Sequence, residues 1–355
     1  MKGLPPQALD VLKNAEGKVF TCAGAVVLAG DETYESYLGC GPGTLFDLAS
    51  LTKVLVTTTV AVQACAQGLI TLELPVRRFF PLFPNGEATL GHLLQHCAGL
   101  PAWLPLHEDF HAAAGPVEAR ELFEARILQS FDESKFLKEC VYSDLGFMLL
   151  GWALELACGA PLDALFQEWV IGADRKSGYA KLQFLPIAPD IAPTVVCPWR
   201  GHLLRGEVHD DNCYVLGGVA GHAGLFGPAL DVAALGRQWL LAVQGDPDGL
   251  LDPQWAARFW NTRYVSTCSR TLGWDGADPS GQGAAGSRFS PSVRGHLGFT
   301  GTSIWIDPEK NIVAVLLTNR VALAKDLHEK APMREVRRAF HDAVMAELNS
   351  VLPQL

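Results

Sequence analysis

The chain has 355 residues, a formal net charge of −10 at pH 7 and a sequence pI near 5.5. This length predicts about two domains, and hydrophobic residues make up 49% of the chain, which is enough for a large core. Nucleic-acid binding needs a basic surface and membrane-surface binding needs a basic amphipathic helix. The acidic charge and the lack of such a helix therefore argue against nucleic acid and membrane as partners.

The N-terminal segment, MKGLPPQALDVLKNAEGK, lacks the apolar run of a secretory signal. The nine cysteines are odd in number and form no CxxC pair, which favours reduced, mostly buried thiols and offers no zinc-finger spacing. These features predict a cytoplasmic protein without metal or cofactor, or a periplasmic protein if the sequence has been trimmed.

The first elements follow from local patterns. Residues 5–15 predict a short amphipathic helix, and residues 19–28 and 34–38 predict two strands. A helix over 50–67 comes next and is uncharged after Lys53. Its three consecutive threonines favour a helix buried in a protein core over a membrane span.

Residues 75–230 mix helical patterns with loops rich in proline and glycine. The helices predicted there and beyond cover 90–96, 118–129, 145–157, 231–245 and 334–349. Residues 275–292 have the composition of a long loop, and two strands, 296–308 and 311–321, follow it around a tight hairpin.

The order of these elements predicts the domain organisation. Strands lie at both ends of the sequence and helices lie in its middle. We therefore expect an α/β domain formed by residues 1–75 and 231–355. A mostly helical insertion, residues 76–230, would interrupt it, with the active site at the interface.

A serine and a lysine stand three residues apart at the head of the uncharged helix, in Ser50-Leu51-Thr52-Lys53. Positions i and i+3 share one helix face, so the hydroxyl and the amine come together in a low-dielectric place. Burial lowers the pKa of a lysine, which suits Lys53 to activate the weak nucleophile as a base. Taken alone, the motif also fits an N-cap serine beside a lysine that reaches for solvent.

Two further motifs follow in order. "VYSDLGFMLLGWALE" (141–155) places Tyr142 and Asp144 before a helix, and "GHLGFTGTSIWIDP" (295–308) places His296 and Gly298 at the start of a strand. The ordered set resembles the serine β-lactamase and penicillin-binding-protein superfamily, whose motifs are S-x-x-K, an S-D-N-type element and K-T-G. It is most similar to the class C β-lactamase-like branch, with Y-x-N and H-x-G as second and third motifs. "LLQHCAGLPAW" (93–103) is similar to that branch's H-T-S-G-L-P segment.

The resemblance implies a fold and a set of roles. The fold is a five-stranded antiparallel sheet with helices on both faces and a helical domain beside it. The resemblance makes Ser50 the acylated nucleophile, Lys53 its partner and Tyr142 a proton relay. The backbone N–H groups of Ser50 and Phe299 would form the oxyanion hole.

The remaining matched positions depart from the family pattern. Asp144 stands where the family often has asparagine, and Asp144 and Gly298 would contact substrate. Leu297 replaces the threonine of K-T-G and Cys97 replaces a hydroxyl residue, so efficient β-lactam hydrolysis is not expected. His296 replaces a lysine. It could hold an anionic substrate group in its protonated form, or donate a hydrogen bond while neutral.

A second cluster lies in "GEVHDDNCYVLGGVAGHAGLFG" (206–227). It resembles a V-H-D-x-N…G-G-V-A-G-H-A-G-L-F signature of one subfamily, which is linked with cell-wall peptide and muropeptide metabolism. His209, Asp210 and His222 could form a substrate-binding wall. A metal site and a structural hydrogen-bond network are the alternatives.

The sequence thus predicts a serine acyl-enzyme hydrolase of small amides or esters, with peptidoglycan-derived peptides or muropeptides as the first choice of substrate. A D-amino-acid peptidase, a muramoyl-peptide amidase and a carboxylesterase all fit these residues. A non-catalytic binding or assembly protein on the same fold is the alternative from another class. Such proteins usually lose the serine, lysine or tyrosine, which are all present here. The oligomeric state stays open.

Overall fold

The computed structural model describes residues 1–109, 115–173, 179–327 and 329–348. The strands in these ranges are β1 (Lys2–Gly3), β2 (Ala23–Ala29), β3 (Glu32–Leu38), β4 (Phe46–Asp47), β5 (Gln183–Phe184), β6 (Leu225–Gly227), β7 (Asp275–Gly276), β8 (Arg294–Leu297), β9 (Ser303–Asp307) and β10 (Ile312–Thr318). The main sheet has the order β1-β3-β2-β10-β9-β8-β7, and a small sheet has the order β4-β6-β5.

The main sheet is larger than expected. Its central strands β3, β2, β10, β9 and β8 form the expected antiparallel set of five. Two-residue strands extend it at the edges, and β1 runs parallel to β3. The prediction of a single strand over 296–308 is wrong. The segment is divided into β8 and β9, because the chain turns at Gly298, whose N–H donates to the Thr302 carbonyl at 2.8 Å.

The α-helices of the described ranges are α1 (Pro6–Ala15), α2 (Thr59–Ala66), α3 (Leu90–Leu94), α4 (Pro116–Gln129), α5 (Asp144–Cys158), α6 (Leu162–Phe166), α7 (Asp211–Val215), α8 (Ala229–Val243), α9 (Pro253–Asn261) and α10 (Ala331–Leu348). The expected helices are confirmed, apart from shifts at their ends. Asn349, the expected end of the last helix, lies outside the described residues. The sequence patterns missed α6, α7 and α9.

The central strands of the main sheet, β2, β10 and β9, are buried on both faces. Ala314 and Leu316 of β10 belong to a core cluster with residues of α1 and α10. Val313 and Val315, which alternate with them, face a larger cluster that includes Trp239 of α8. Strand β10 is therefore covered by helices on both sides. Strands come from both ends of the chain, as expected, whereas the exact domain boundaries stay a prediction.

The uncharged helix is a core helix. It runs over Lys53–Ala66, and its first turn, Lys53–Thr58, has π-helical geometry. The hydroxyls of Thr58 and Thr59 donate to carbonyls five residues back, at 2.7 and 2.9 Å. Thr57 donates to the Gly221 carbonyl at 2.6 Å. These bonds satisfy the hydroxyls within an apolar environment.

No single helix in the described ranges has both the length and the apolar composition of a membrane span; α5 and the helical residues 162–171 reach that standard only as a pair, across a 73° bend. All nine cysteines are free. Four are buried and five are partly exposed, so the prediction of mostly buried thiols holds only in part. The cytoplasmic location stays a prediction.

Candidate active site

Ser50 lies in the turn that leads from β4 into the core helix. The residue before it, Ala49, has a left-handed φ of 47°, and its N–H donates to Asp47 Oδ1 at 2.8 Å. The turn continues into the helix, because the Lys53 N–H donates to the Ser50 carbonyl at 3.1 Å. Ser50 is partly exposed while its neighbours are buried. A strained turn thus presents one hydroxyl at the edge of the core.

Lys53 is fully buried and directs its amine at three acceptors. Its Nζ lies 2.9 Å from Ser50 Oγ, 3.0 Å from the His222 carbonyl and 2.6 Å from Asp144 Oδ1. Two of these contacts are hydrogen bonds, to Ser50 and to His222, and the third is an ion pair with the Asp144 carboxylate. Burial alone lowers the pKa of Lys53, but the Asp144 carboxylate and Tyr142 outweigh it and raise that pKa above its ordinary value. The raised pKa favours a protonated Lys53 in the resting site, and its expected role as a base stays a prediction.

The Tyr-Ser-Asp motif supplies both a helix cap and the counterion of Lys53. The Ser143 side chain caps α5 by accepting from the Gly146 N–H at 3.1 Å, and it donates to the Pro101 carbonyl at 2.7 Å. Asp144 is the first residue of α5, where a carboxylate is favoured by the helix dipole. The structure thus places Asp144 against Lys53; its expected contact with substrate stays a prediction.

Tyr142 stands at the centre of the site. Four side chains lie near its ring, at these distances from the ring centroid: His96 at 4.8 Å, Lys53 Nζ at 5.0 Å, Arg270 Cζ at 5.2 Å and His296 at 5.7 Å. Its hydroxyl lies near Lys53 and Ser50, and both groups favour its ionised form. Burial raises the pKa of Tyr142 despite the Lys53 charge, so the phenol is neutral.

His296 is buried and neutral. Its Nδ1 lies 2.9 Å from the Leu297 carbonyl, and a carbonyl only accepts, so Nδ1 carries the proton and Nε2 is an acceptor. Nε2 is buried and has no hydrogen-bond partner among the described residues. Burial, with the Lys53 and Arg270 charges, lowers the pKa of His296 to about 4, against the opposing charge of Asp275. These observations favour a neutral His296 over a cation that holds an anion. The expected donor role is wrong, because the Leu297 carbonyl takes the one N–H of the neutral ring and Nε2 can only accept.

The turn between β8 and β9 packs on the strand that leads to Ser50. Thr300 Oγ1 donates to the Asp47 carbonyl at 2.7 Å, and Thr302 Oγ1 donates to the Leu48 carbonyl at 3.0 Å. A Cβ on Gly298 would lie 2.0 Å from Thr302 Oγ1 and 2.6 Å from the Leu48 oxygen. Only glycine permits this approach. The structure thus places Gly298 at a backbone contact; its expected contact with substrate stays a prediction.

The same turn carries the second oxyanion-hole candidate. The Phe299 carbonyl accepts from Arg320 Nε at 2.7 Å, and the Gly298 carbonyl accepts from Arg337 Nη2 at 2.8 Å. The N–H groups of Ser50 and Phe299 have no backbone acceptor among the described residues. The turn is therefore anchored through its carbonyls and hydroxyls, and both N–H groups can serve a ligand.

The second cluster forms a network behind Lys53 in which His222 is buried and His209 and Asp210 are partly exposed. His222 Nε2 lies 3.0 Å from Asp210 Oδ1. His222 positions its carbonyl against Lys53, and the His209 N–H donates to Asp47 Oδ2 at 2.6 Å. The described residues contain no group of three or more His, Cys, Asp or Glu that could hold a metal ion. The contacts favour the hydrogen-bond network among the alternatives. His209, whose ring lies 5.3 Å from that of Phe299, is the member that faces the oxyanion turn.

Sequence reasoning missed two residues at the site. Asp47 is buried and accepts from the N–H groups of Ala49 and His209; burial raises its pKa to about 6, against these hydrogen bonds. An aspartate inside the apolar stretch before Ser50 was a usable signal. Arg270 lies against Tyr142 and pairs with Asp275 at 2.6 Å, and no sequence motif pointed to it.

Comparisons with known proteins identify the family of the chain. The Beta-lactamase family model matches residues 13–336. The "Putative D-alanyl-D-alanine carboxypeptidase" of Escherichia coli (strain K12) is 30% identical over 311 residues, which cover 78% of this chain and 69% of that protein. The "N-acetylmuramyl-L-alanine amidase" of Bacillus subtilis (strain 168) is 29% identical over 309 residues, which cover 78% of this chain and 68% of that protein.

Solved structures show the same fold. EstCE1, a hydrolase with promiscuous acyltransferase activity, superposes with a TM-score of 0.71 at 21% identity over 94% of this chain and 97% of its own. A penicillin-binding-protein homologue from Caulobacter crescentus has a TM-score of 0.71 at 14% identity over 97% and 99% of the two chains. The chain therefore belongs to the β-lactamase family and is a serine hydrolase with the β-lactamase fold.

Proposed function

We propose that this hydrolase cleaves small amides derived from peptidoglycan through an acyl-enzyme on Ser50. The observation that carries the proposal is the 2.9 Å contact between the partly exposed Ser50 hydroxyl and the fully buried Lys53 amine. A buried cation at this distance stabilises an alkoxide strongly, because little water screens the charge. The names of the carboxypeptidase and amidase relatives support the choice of peptidoglycan fragments.

The acylation step follows from the contacts. As Ser50 Oγ attacks the carbonyl carbon, its proton passes to the Tyr142 oxygen. Tyr142 gives its own proton to the leaving nitrogen, and the C–N bond breaks. Lys53 keeps its proton and holds the developing negative charge beside Oγ. The unpartnered Nε2 of His296 accepts a hydrogen bond from the Tyr142 hydroxyl or from the substrate.

Deacylation reverses these transfers. Water attacks the acyl carbon and its proton returns through Tyr142 to Ser50 Oγ, which releases a carboxylic acid. In both steps the carbonyl oxygen becomes an oxyanion. The N–H groups of Ser50 and Phe299 would bind it, the second of them held by the Thr300 and Thr302 contacts described above.

His296 and Leu297, in the third motif, bear on which amide bond of a peptidoglycan fragment the enzyme cleaves. Leu297 and neutral His296 supply no cation for a free carboxylate, and the charge of Arg270 is offset by Asp275. This favours an amide without a neighbouring carboxylate, such as the bond between a muramoyl lactyl group and its peptide, over a terminal D-Ala-D-Ala bond. The same observation supports a carboxylesterase as the second candidate.

The test is a substrate panel of muramoyl peptides, peptides ending in D-Ala-D-Ala, and p-nitrophenyl esters. We expect turnover of muramoyl peptides and labelling of Ser50 by a fluorophosphonate probe. Ser50→Ala should keep the fold and lose about 10³-fold or more in kcat. Turnover of esters alone would establish the esterase. Full turnover by Ser50→Ala, or no labelling of the wild type at Ser50, would refute the assignment.

A further inference from the structure

Exposed aromatic side chains gather in one place. In the described ranges, Trp103 (45% exposed), Trp199 (51%), Tyr214 (37%) and Tyr264 (36%) are the exposed aromatic residues. Three of them form a continuous row with His107: ring centroids are 6.2 Å apart for Trp103 and His107, 5.8 Å for His107 and Trp199, and 5.7 Å for Trp199 and Tyr214. We call Trp103, His107, Trp199 and Tyr214 the aromatic patch. Exposed apolar area gathered in this way is typical of a binding surface.

Charged groups hold the patch in place without a ligand. The Arg200 side chain is only 2% exposed and bonds to Glu207 at 3.0 Å and Asp211 at 2.6 Å. Its guanidinium carbon lies 5.2 Å from the Trp199 ring centroid and 4.0 Å from that of Tyr214. A ligand therefore meets rings that are already ordered, which lowers the entropy lost on binding.

Two short connections join the patch to the site. Trp103 directly follows Ala102. The Ala102 carbonyl accepts from the Asp144 N–H at 2.9 Å, and Asp144 is the counterion of Lys53. On the other side, Asn212 Oδ1 accepts from the His107 N–H at 2.9 Å. Asn212 lies two residues after Asp210, which pairs with His222 behind Lys53. The patch thus adjoins the site from the side of Asp144 and His222.

The chemistry of the patch fits a sugar better than an acyl chain. A pyranose ring presents C–H groups on its faces and hydroxyls around its edge, so it stacks on an aromatic face and bonds to polar groups beside it. The patch has such polar neighbours: the side chains of Glu207 and Asp211 are 29% and 31% exposed. An aliphatic ligand would form no hydrogen bond with the exposed parts of these carboxylates, which Arg200 already pairs from the buried side.

We propose that the aromatic patch binds the saccharide ring of the substrate, an N-acetylhexosamine joined to the peptide that Ser50 releases. This inference rests on the proposed function for the location of the cleaved bond. It adds that the enzyme recognises the sugar side of that bond by stacking.

The experiment compares two substrates that share one scissile amide. One is an N-acetylmuramoyl peptide, and the other is the same peptide with a lactoyl group in place of the muramoyl group, so that only the sugar ring is missing. In Trp199→Ala and Trp103→Ala we expect KM for the muramoyl peptide to rise about 10-fold, the loss of roughly one stacking contact. The kcat for that substrate and both constants for the lactoyl peptide should stay within about twofold. Tyr264→Ala, an exposed aromatic outside the patch, is the control.

A binding measurement separates this inference from the proposed function. In Ser50→Ala, N-acetylmuramic acid should change the tryptophan fluorescence saturably, and Trp199→Ala should weaken that binding about 10-fold. If the wild type cleaves neither peptide but the sugar binds in this way, the proposed function fails and the patch stands. Equal changes of KM for both substrates, or no saturable binding that depends on Trp199, would overturn the inference.

Discussion

At the scale of single residues, the site depends on charges that burial would otherwise oppose. A lone buried ammonium tends to lose its proton, yet Lys53 keeps a raised pKa because Asp144 and Tyr142 lie against it. At His296 burial outweighs the charge of Asp275 and lowers the pKa. One buried cation and one neutral imidazole therefore stand side by side near Tyr142. The groups that lie against Lys53 and His296 determine their protonation states. The motifs that contain these two residues do not show which groups those are.

The first prediction concerns Asp144. Asp144→Asn removes the carboxylate that does most to raise the pKa of Lys53, so that pKa should fall. If catalysis needs the protonated amine, the alkaline limb of the kcat/KM profile should move to lower pH by at least about one unit, and kcat at pH 7 should fall about 10-fold or more. Asp163→Asn is the control, because Asp163 also lies in the first turn of a helix. An unchanged alkaline limb in Asp144→Asn would show that the Lys53 charge does not depend on this pair.

The second prediction concerns His296. Because burial lowers its pKa to about 4, His296 stays neutral across pH 6–8 and protonates only in more acidic solution. KM for a carboxylate-bearing substrate and for a neutral ester should therefore follow one pH profile between pH 6 and 8. Both should lose activity as pH falls through about 4, and His296→Gln should remove that acidic limb. A KM that rises with pH for the carboxylate substrate alone would contradict the neutral assignment and restore anion recognition by a protonated His296.

At the scale of elements, the structure differs most from the sequence-based prediction at the turn between β8 and β9. The H-x-G motif predicted a strand that continues through Gly298, but the chain folds back there, so that Thr300 and Thr302 reach the strand before Ser50. A local pattern cannot show this, because the partner carbonyls lie about 250 residues earlier in the chain.

Unlike this turn, the helices and the positions of the motifs could be predicted from the sequence. Their signals are local: helical periodicity gave α1, α4, α5 and α8, and chain order gave the three motifs. The partners of Lys53 show the limit. Ser50 could be predicted from the spacing, whereas the His222 carbonyl is a backbone group brought in from 169 residues away. In the π-helical first turn, the Thr57 hydroxyl likewise bonds to the Gly221 carbonyl, 164 residues away.

The third prediction concerns the oxyanion turn. Thr302→Val keeps the side-chain shape but removes the bond to the Leu48 carbonyl, which loosens the position of Phe299. We expect kcat to fall about 10-fold with KM nearly unchanged, because an oxyanion contact acts mainly in the transition state. Thr194→Val is the matched control, since it removes a buried hydroxyl bond to the Leu204 carbonyl elsewhere in the chain. If both variants lose the same activity in proportion to their stability, the turn has only a structural role.

At the scale of the whole molecule, buried histidines dominate the response to acid. Burial lowers the pKa of His92, His296 and His341 to about 4, and it lowers the pKa of His96 and His209 as well. The buried Asp47 acts in the opposite direction, since its pKa is raised to about 6. Burial also raises the pKa of Asp231 and Glu124. Five histidines therefore oppose these three carboxyl groups as the pH falls towards 4, and the histidines should decide the sign.

The last prediction is that stability falls as pH drops from 6.5 towards 4. In that range the unfolded chain binds protons on its histidines that the folded chain cannot bind, so protonation favours unfolding. For a histidine with a folded pKa of about 4, the loss at pH 5 is on the order of 2 kcal/mol. His341 suits the test, because it is buried against the Ala284 carbonyl and contacts none of the residues assigned to catalysis. Urea unfolding at pH 7.5 and pH 5 should show a smaller difference in stability for His341→Gln than for the wild type. His202→Gln, whose side chain is 54% exposed, should match the wild type. A wild-type stability that is constant or rises towards pH 5 would show that the carboxyl groups with raised pKa values outweigh the histidines.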